Sequence, residues 1–283
     1  MKWLKSIFDF YLDASVHVAL AVVSLVQMTG VFLEISINPH FSYFVVFATI
    51  ACYNFVKYGV EAEKYILVAS QYHKGIQVFS LAALGFAIYH SHFLNLKVWY
   101  GIACLLLLTG LYAIPFLPQI RNLRSLGGLK IFVVALVWSG VTVVLPLLCL
   151  EMSFSWDMYI EATQRFIVVL ILMIPFEIRD LKYDPHDLRT LPQQFGVAKT
   201  KIFGSFATIS FFFLTFLKDE ISSNEMILKG FLFLGLGSLM FVTNRNQGKY
   251  FASFWVESTP IIWWGLFVVI ETVSPYFVTS LSS

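Results

Sequence analysis

Charge is what this sequence has least of. Asp, Glu, Lys and Arg make up 13% of its 283 residues, about half the share of an ordinary soluble domain, which excludes a water-soluble globular chain. The net charge of +2 is spread along the sequence without a polybasic run, so nucleic-acid binding has no electrostatic basis. Cysteine is scarce as well. Cys52, Cys104 and Cys149 stand singly in apolar stretches with no CxxC pair, and they read as small packed hydrophobes rather than metal ligands or bridges. Zinc-spaced His and Cys, a P-loop, a Gly-rich dinucleotide fingerprint and a serine elbow are all missing, which removes support for the enzyme classes built on them. There is no fixed-period repeat and no low-complexity tract.

What the chain has in abundance is apolar and aromatic residues, 58% of the total. A bilayer-crossing helix takes about 20 mostly apolar residues. Nine runs qualify: 14–33, 41–60, 76–94, 98–116, 129–150, 160–178, 200–217, 226–243 and 256–277. The first is too long for a removable leader and lacks a small-residue cleavage site, so it is expected to stay as a permanent span. The reading is an all-α polytopic membrane protein, one transmembrane domain over residues 1–283. With the N-terminus on the cytoplasmic side, 15 of the 19 basic residues fall on cytoplasmic connections and only Lys97, Arg165, Lys218 and Lys229 on the other side. The positive-inside rule turns that asymmetry into an orientation, with the C-terminus opposite the N-terminus. In a bacterium the membrane would be the plasma (inner) membrane. Two long polar connections, 61–75 and 179–199, then form a cytoplasmic cap, beside the shorter 117–128 and 244–254.

The sixth run ends in Glu177-Ile178-Arg179-Asp180-Leu181-Lys182-Tyr183-Asp184. Glu177, Asp180 and Asp184 are spaced i, i+3 and i+7, on one face of a helix. Three converging carboxylates repel one another unless cations compensate, and such a row suits Mg²⁺, which takes one or two carboxylates and completes its octahedron with water and phosphate oxygens. Arg179, Lys182 and Arg189 could bind the same phosphates from the flanks. As a lone pattern, the row could equally be a hydrated, charge-mixed helix end whose surface pairs contribute little.

Together with the following Leu188-Arg189-Thr190-Leu191-Pro192-Gln193-Gln194-Phe195-Gly196, this row resembles the second aspartate-rich motif of the UbiA superfamily of intramembrane prenyltransferases. Tyr112-Ala113-Ile114-Pro115 and the later Gly127-Gly128-Leu129-Lys130 are similar to that family's Tyr-x-x-Pro and the basic segment before its next helix. The resemblance implies a nine-helix bundle with Mg²⁺ on Glu177, Asp180 and Asp184. It also implies an isoprenyl diphosphate drawn from the bilayer, bound with the help of Tyr112 and Lys130, and prenyl transfer to an aromatic or lipid acceptor.

The first motif departs from the family. Where N-D-x-x-D-x-x-x-D is expected, the chain reads Asn54-Phe55-Val56-Lys57-Tyr58-Gly59-Val60-Glu61-Ala62. Only the Asn survives. A second metal is therefore not expected. Lys57 would stand in as a fixed positive charge, with Asn54 and Tyr58 donating hydrogen bonds from i, i+3 and i+4 positions. The rival reading is a non-catalytic UbiA-like protein that binds an isoprenoid or lipid, or acts as a scaffold. A transporter has less support, since no paired Gly/Pro-broken helices occupy matching halves.

Polar residues within the runs, His17, Gln27, Glu161, Gln164, Arg165, Glu257 and Glu271, are costly in lipid and expected to face the bundle interior or an interface. Glu161 and Arg165 have i, i+4 spacing and can pair.

Overall fold

The computed structural model describes residues 2–59, 71–113, 128–184 and 188–281, and every regular element among them is helical. In chain order these are α1 Lys2–Asp13, α2 Val16–Phe32, α3 Pro39–Asn54, α4 Gln71–Ser91, α5 Leu96–Ala113, α6 Leu129–Cys149, α7 Trp156–Asp180, α8 Leu191–Leu214, α9 Ser223–Val242 and α10 Thr259–Leu281. Each of the nine apolar runs falls on one of α2 to α10. By length and composition six described segments can cross a bilayer, those built on α3, α6, α7, α8, α9 and α10, or seven if α1 and α2 count as one bent span. The chain is an integral membrane protein.

The apolar runs lacked α1, which differs in kind. It is amphipathic, with Trp3, Leu4 and Ile7 exposed. It meets α2 at a 54° bend, where Ser15 takes a left-handed φ of 60°. Lys2, Lys5, Asp9 and Asp13 all fall within α1, which is why the sequence reads as a span only from residue 14 onward.

Local chemistry sets the other boundaries. Asn38 accepts the His40 N–H at 2.8 Å and Pro39 opens α3, the arrangement that satisfies the free donors of a helix start. Ser222 caps α9 by accepting the Glu225 N–H at 3.1 Å. The Thr190 N–H donates to Gln193 Oε1 at 3.1 Å as α8 begins. Gly196 then breaks α8 with φ 79°, a conformation in which a Cβ would clash.

The helix α7 is the axis of the bundle. Of its most apolar window 61% is buried, against 28% for α8 and 22% for α10. Ile171, Ile174 and Ile178 of α7 are wholly buried among Leu25 and Met28 of α2, Ile131 and Ala135 of α6, Phe211 of α8, Leu228 and Leu236 of α9, and Trp263 of α10. A second cluster joins Val22 and Val26 to Phe41 and Val45 of α3, Val98 and Ile102 of α5, and Leu145 of α6. The outer faces are the reverse of a soluble protein's. Leu81, Tyr100, Leu107, Phe206, Phe213, Leu234 and Phe241 are all more than 60% exposed, a girdle that water would penalise and lipid accepts.

Candidate functional site

The C-terminal end of α7 brings the acidic row to one end of the bundle, hereafter the mouth. Pro175 removes one backbone donor in the last turns, and the Gln247 side chain donates to the Pro175 carbonyl at 2.8 Å. Glu177 is 1% exposed and its Oε1 lies 3.0 Å from Lys130 Nζ at the start of α6. Its Oε2 is buried and accepts no hydrogen bond. Asp180 is held by Arg179, whose Nε and Nη2 donate to its two oxygens at 2.7 and 3.2 Å. The Asp180 carbonyl accepts the N–H groups of Tyr183 and Asp184 at 2.8 and 2.9 Å. That turn keeps Asp184 beneath the helix end. The charges of Asp180 and Asp184 both act on Glu177, but α7 ends at Asp180 and Asp184 follows in a turn, so the expected single helical face stops at Asp180. Lys182 and Arg189 are exposed at its edge, and Arg189 has a left-handed φ of 47°. Residues 185–187 and the side chain of Tyr112 lie outside the described residues, as do 60–70, most of the expected cap loop, and 114–127.

The remnant of the first motif sits across the mouth. Asn54 is buried and uses both amide hydrogens within the protein, donating to the Ala14 carbonyl at 3.0 Å and Ser80 Oγ at 2.8 Å, while its Oδ1 accepts from Ser15 Oγ at 2.7 Å. Residues 55–59 form a π-helical turn, which spoils the expected i, i+3, i+4 alignment because the turn is wider than an α-helical one. Lys57 Nζ and Tyr58 Oη donate to the Asp13 carbonyl at 3.3 and 3.0 Å, and the Asp13 carboxylate is 3.6 Å from Lys57. The motif remnant thus clasps the α1–α2 bend. Lys57 keeps 44% of its side chain exposed, and its charge, like that of Arg179, acts on Glu257.

Between the mouth and the core lies an apolar cavity of about 320 Å³. Phe44, Tyr53, Trp138 and Phe176 supply aromatic wall, and Val22, Ile102, Leu105 and Leu172 aliphatic wall. Trp138 Nε1 donates to Tyr53 Oη at 2.7 Å, tying α6 to α3 across it. Among the described residues Glu257 is the single Asp, Glu, Lys, Arg or His on the cavity wall. It follows a π-helical segment, Phe251–Val256, which His17 pins by pairing its Nε2 with the Phe254 carbonyl at 3.0 Å and with Ser258 Oγ at 3.2 Å. Sequence reasoning marked Glu257 as a polar residue within an apolar run without assigning it to the site. The signal available was its cost in lipid; the π-helical turn that aims it has no sequence signature of comparable clarity.

Hard oxygen donors suit Mg²⁺, and the unsatisfied Oε2 of Glu177, flanked by Asp180 and Asp184, fits such an ion. Among the described residues no three His, Cys, Asp or Glu side chains enclose an ion by themselves. With Lys130 against Glu177 and Arg179 against Asp180, the mouth is largely charge-balanced. Additional negative charge from a ligand would create the demand for a cation.

No family model and no curated protein matches the sequence. Among solved structures, the fold is similar to that of a UbiA homologue from Archaeoglobus fulgidus bound to DMAPP and Mg²⁺, with a TM-score of 0.60 over 93% of this chain and 99% of that one, at 11% identity. At that identity the likeness is one of architecture. The chain has the fold of the UbiA superfamily.

Proposed function

We propose that the protein is a UbiA-like prenyltransferase, in which the cavity takes the isoprenyl chain of an allylic diphosphate and the mouth takes its diphosphate. The observation that carries this reading is the adjacency of an apolar chamber to a ring of basic and acidic groups at the end of α7. The homologue's bound DMAPP, an isoprenyl diphosphate, supports the same ligand class. Ionising the allylic C–O bond places about three negative charges on the leaving diphosphate, and their stabilisation is the main electrostatic demand. Lys57, Arg179, Lys182 and Arg189 rim the mouth and would meet that charge, with Lys130 behind Glu177 and Tyr58 and Tyr112 completing the surround, while Asn54 spends its amide inside the protein. Magnesium would be held by Asp180 and Asp184 with Glu177, and when bound it would neutralise phosphate oxygens as a Lewis acid. Because the ligand-free mouth is nearly balanced, the ion is expected to enter with the diphosphate. The aromatic walls would shield the allylic cation and exclude water until an aromatic or lipid acceptor captures it.

In this reading residues 1–283 form one transmembrane domain whose mouth faces the cytoplasm beneath the loops 61–75 and 179–199. The C-terminus lies on the opposite side. The test is binding of geranylgeranyl thiodiphosphate to detergent-purified protein, with and without Mg²⁺. Wild type is expected to bind in a Mg²⁺-dependent way, and Asp180→Ala/Asp184→Ala to lose at least tenfold in affinity. Absence of binding across several chain lengths, in folded protein, overturns the proposal.

One observation favours a second reading. Asn54, Lys57 and Tyr58 are engaged with Ala14, Ser15, Ser80 and Asp13, as they would be in a non-catalytic isoprenoid or lipid binder, or a scaffold, that has turned its first motif into a clasp. Retained binding of the thiodiphosphate without transfer to any acceptor would select it.

A further inference from the structure

Three side chains converge on one residue at the edge of the mouth. Asp13 ends α1, where the chain turns through the 54° bend into α2. Its Oδ1 lies 3.6 Å from Lys57 Nζ, and its Oδ2 accepts from Tyr72 Oη of α4 at 2.8 Å. Its carbonyl accepts from Lys57 Nζ at 3.3 Å and from Tyr58 Oη at 3.0 Å. Lys57 and Tyr58 belong to the first-motif remnant, the stretch that meets the diphosphate in the prenyltransferase reading. An anion carried by α1 therefore engages a cation that the ligand needs. The hold is loose. Lys130 and Arg179 sit 3.0 and 2.7 Å from acids of the α7 row, so Lys57 has the longest ion pair of the three, and both its side chain and that of Asp13 are exposed. Lys57 and Arg179 are near enough for their charges to act on each other, and both act on Glu257. Lys57 thus belongs to the field of the mouth while its partner belongs to a separate helix.

We propose that Asp13 is a positioning residue and a built-in competitor for the diphosphate: without ligand its carboxylate holds Lys57, and an arriving diphosphate takes Lys57 over and releases the end of α1. This rests on the prenyltransferase reading and deepens it, by tying ligand binding to the movement of an amphipathic helix. An exposed ion pair contributes little to folding, so breaking it is a small obstacle. The diphosphate brings about three negative charges against the one on Asp13, and Coulomb attraction grows in proportion. The exchange therefore runs toward the ligand. On release α1 keeps its other attachment, where Lys249 and Tyr250 donate to Asp9, and Phe8 packs edge-on against Tyr250 and Phe254 at 5.3 and 5.2 Å. Its motion is a swing about that contact. Phe10, which packs against Tyr72 and Phe79 at 6.1 and 5.8 Å, moves with Asp13.

Asp13→Asn removes the competing charge and keeps the contacts, because the amide oxygen still accepts from Tyr72 and the backbone carbonyl is unchanged. Affinity for geranylgeranyl thiodiphosphate at fixed Mg²⁺ is measured on the purified full chain for wild type, Asp13→Asn, Lys57→Met and the double variant. Asp13→Asn is expected to bind about threefold more tightly than wild type, the scale of one exposed ion pair. A residue that merely held the fold together would give a loss instead. In the Lys57→Met background the same change should give a clearly smaller gain, because the competition acts through Lys57. Hydrogen exchange of the α1 amides in wild type, read by mass spectrometry, should be about twofold faster or more with the thiodiphosphate than without it. Three results each overturn the inference while thiodiphosphate binding itself stands: Asp13→Asn binding no more tightly than wild type, an equal gain in the Lys57→Met background, or α1 exchange that the ligand leaves unchanged or slows. Absence of binding in all four folded proteins defeats the prenyltransferase reading, and the competition with it.

Discussion

The two ends of α7 handle charge in opposite ways. Near its N-terminal end Glu161, Gln164 and Arg165 meet Lys218, Glu225 and Lys229 in a cluster in which every member is at most 6% exposed. Arg165 and Lys229 each lie 3.0 Å from one oxygen of Glu161, and both Lys218 and Lys229 lie 2.6 Å from Glu225 Oε1. Leftover donors go to backbone carbonyls, Arg165 to Leu25 at 2.6 Å and Lys218 to Phe32 at 3.3 Å. The end is closed: three cations and two anions satisfy one another, and the groups around them. At the mouth the same residue types stand in looser arrangements. Lys57 and Arg179 stay substantially exposed, Glu177 has an oxygen without a hydrogen bond, and Glu257 faces a cavity. Satisfied polar clusters fasten helices together, whereas partly satisfied ones keep interaction capacity for something that arrives.

The sharpest way to break this contrast is at the closed end. Lys229→Met removes the cation shared by Glu161 and Glu225 and leaves their charge buried. The expected loss is about 3–5 kcal/mol, the cost of stripping one partner from a buried pair. Thermal unfolding in detergent should show it as a large drop in midpoint or as loss of folded protein. A Lys229→Met protein that melts like wild type would mean that the cluster is not the fastening the geometry describes.

Lys130→Met is the matching change at the mouth. Glu177 is as buried as Glu161, but Lys130 retains 15% exposure. A smaller loss is expected, about 2–3 kcal/mol. The variant should also bind the thiodiphosphate less tightly. Equal destabilisation by Lys130→Met and Lys229→Met would erase the difference between the two ends.

Lys57→Met separates binding from stability more cleanly. Its partners are the Asp13 carbonyl and an exposed carboxylate, and exposed pairs contribute little to folding. The melting midpoint should stay close to that of wild type while affinity for the thiodiphosphate falls about tenfold, the loss of one charge-assisted contact. A large fall in melting temperature with unchanged affinity would assign Lys57 wholly to the clasp on α1.

How much of this contrast the sequence discloses depends on the range of the interactions involved. The helices were legible because hydropathy is a local property: all nine apolar runs coincide with α2 to α10. The acidic row was legible because its three members lie within eight residues, although only Glu177 and Asp180 lie on α7 and Asp184 follows in a turn. The Glu161–Arg165 pair followed from i, i+4 spacing and is present. Lys218 and Lys229 were not legible as buried groups. Counted as loop and flank charges, they reach Glu161 and Glu225 through a fold that brings Lys229 to a partner 68 positions away. The i, i+3, i+4 alignment expected of Asn54, Lys57 and Tyr58 failed for a similar reason. Their partners come from the α1–α2 bend, and the helix they were placed on widens into a π-helical turn.

The smallest effect is expected where an ion pair is neither buried nor part of the mouth. Lys249 Nζ and Tyr250 Oη both donate to Asp9 Oδ1, at 3.0 and 2.8 Å, joining α1 to the connection before α10. The hydrogen bond from Lys249 is the main influence holding the Asp9 carboxyl below its ordinary value of 3.8. The same bond raises the Lys249 ammonium above its ordinary 10.5. An acid with a depressed folded-state value stabilises the fold above its unfolded value and loses that contribution as pH falls through the folded one. A base with a raised value does so below its unfolded value and loses it as pH rises through the folded one. Between about pH 5 and 9 the pair is fully charged in both states, so this link should give no pH dependence there. With Lys249 largely in solvent and Asp9 partly so, Asp9→Asn should leave the melting midpoint unchanged within error at pH 7. A clear drop at pH 7, relieved by no change in pH between 5 and 9, would show that α1 is fastened through this pair. The clasp of Lys57 and Tyr58 on Asp13 would then be the lesser of the two attachments.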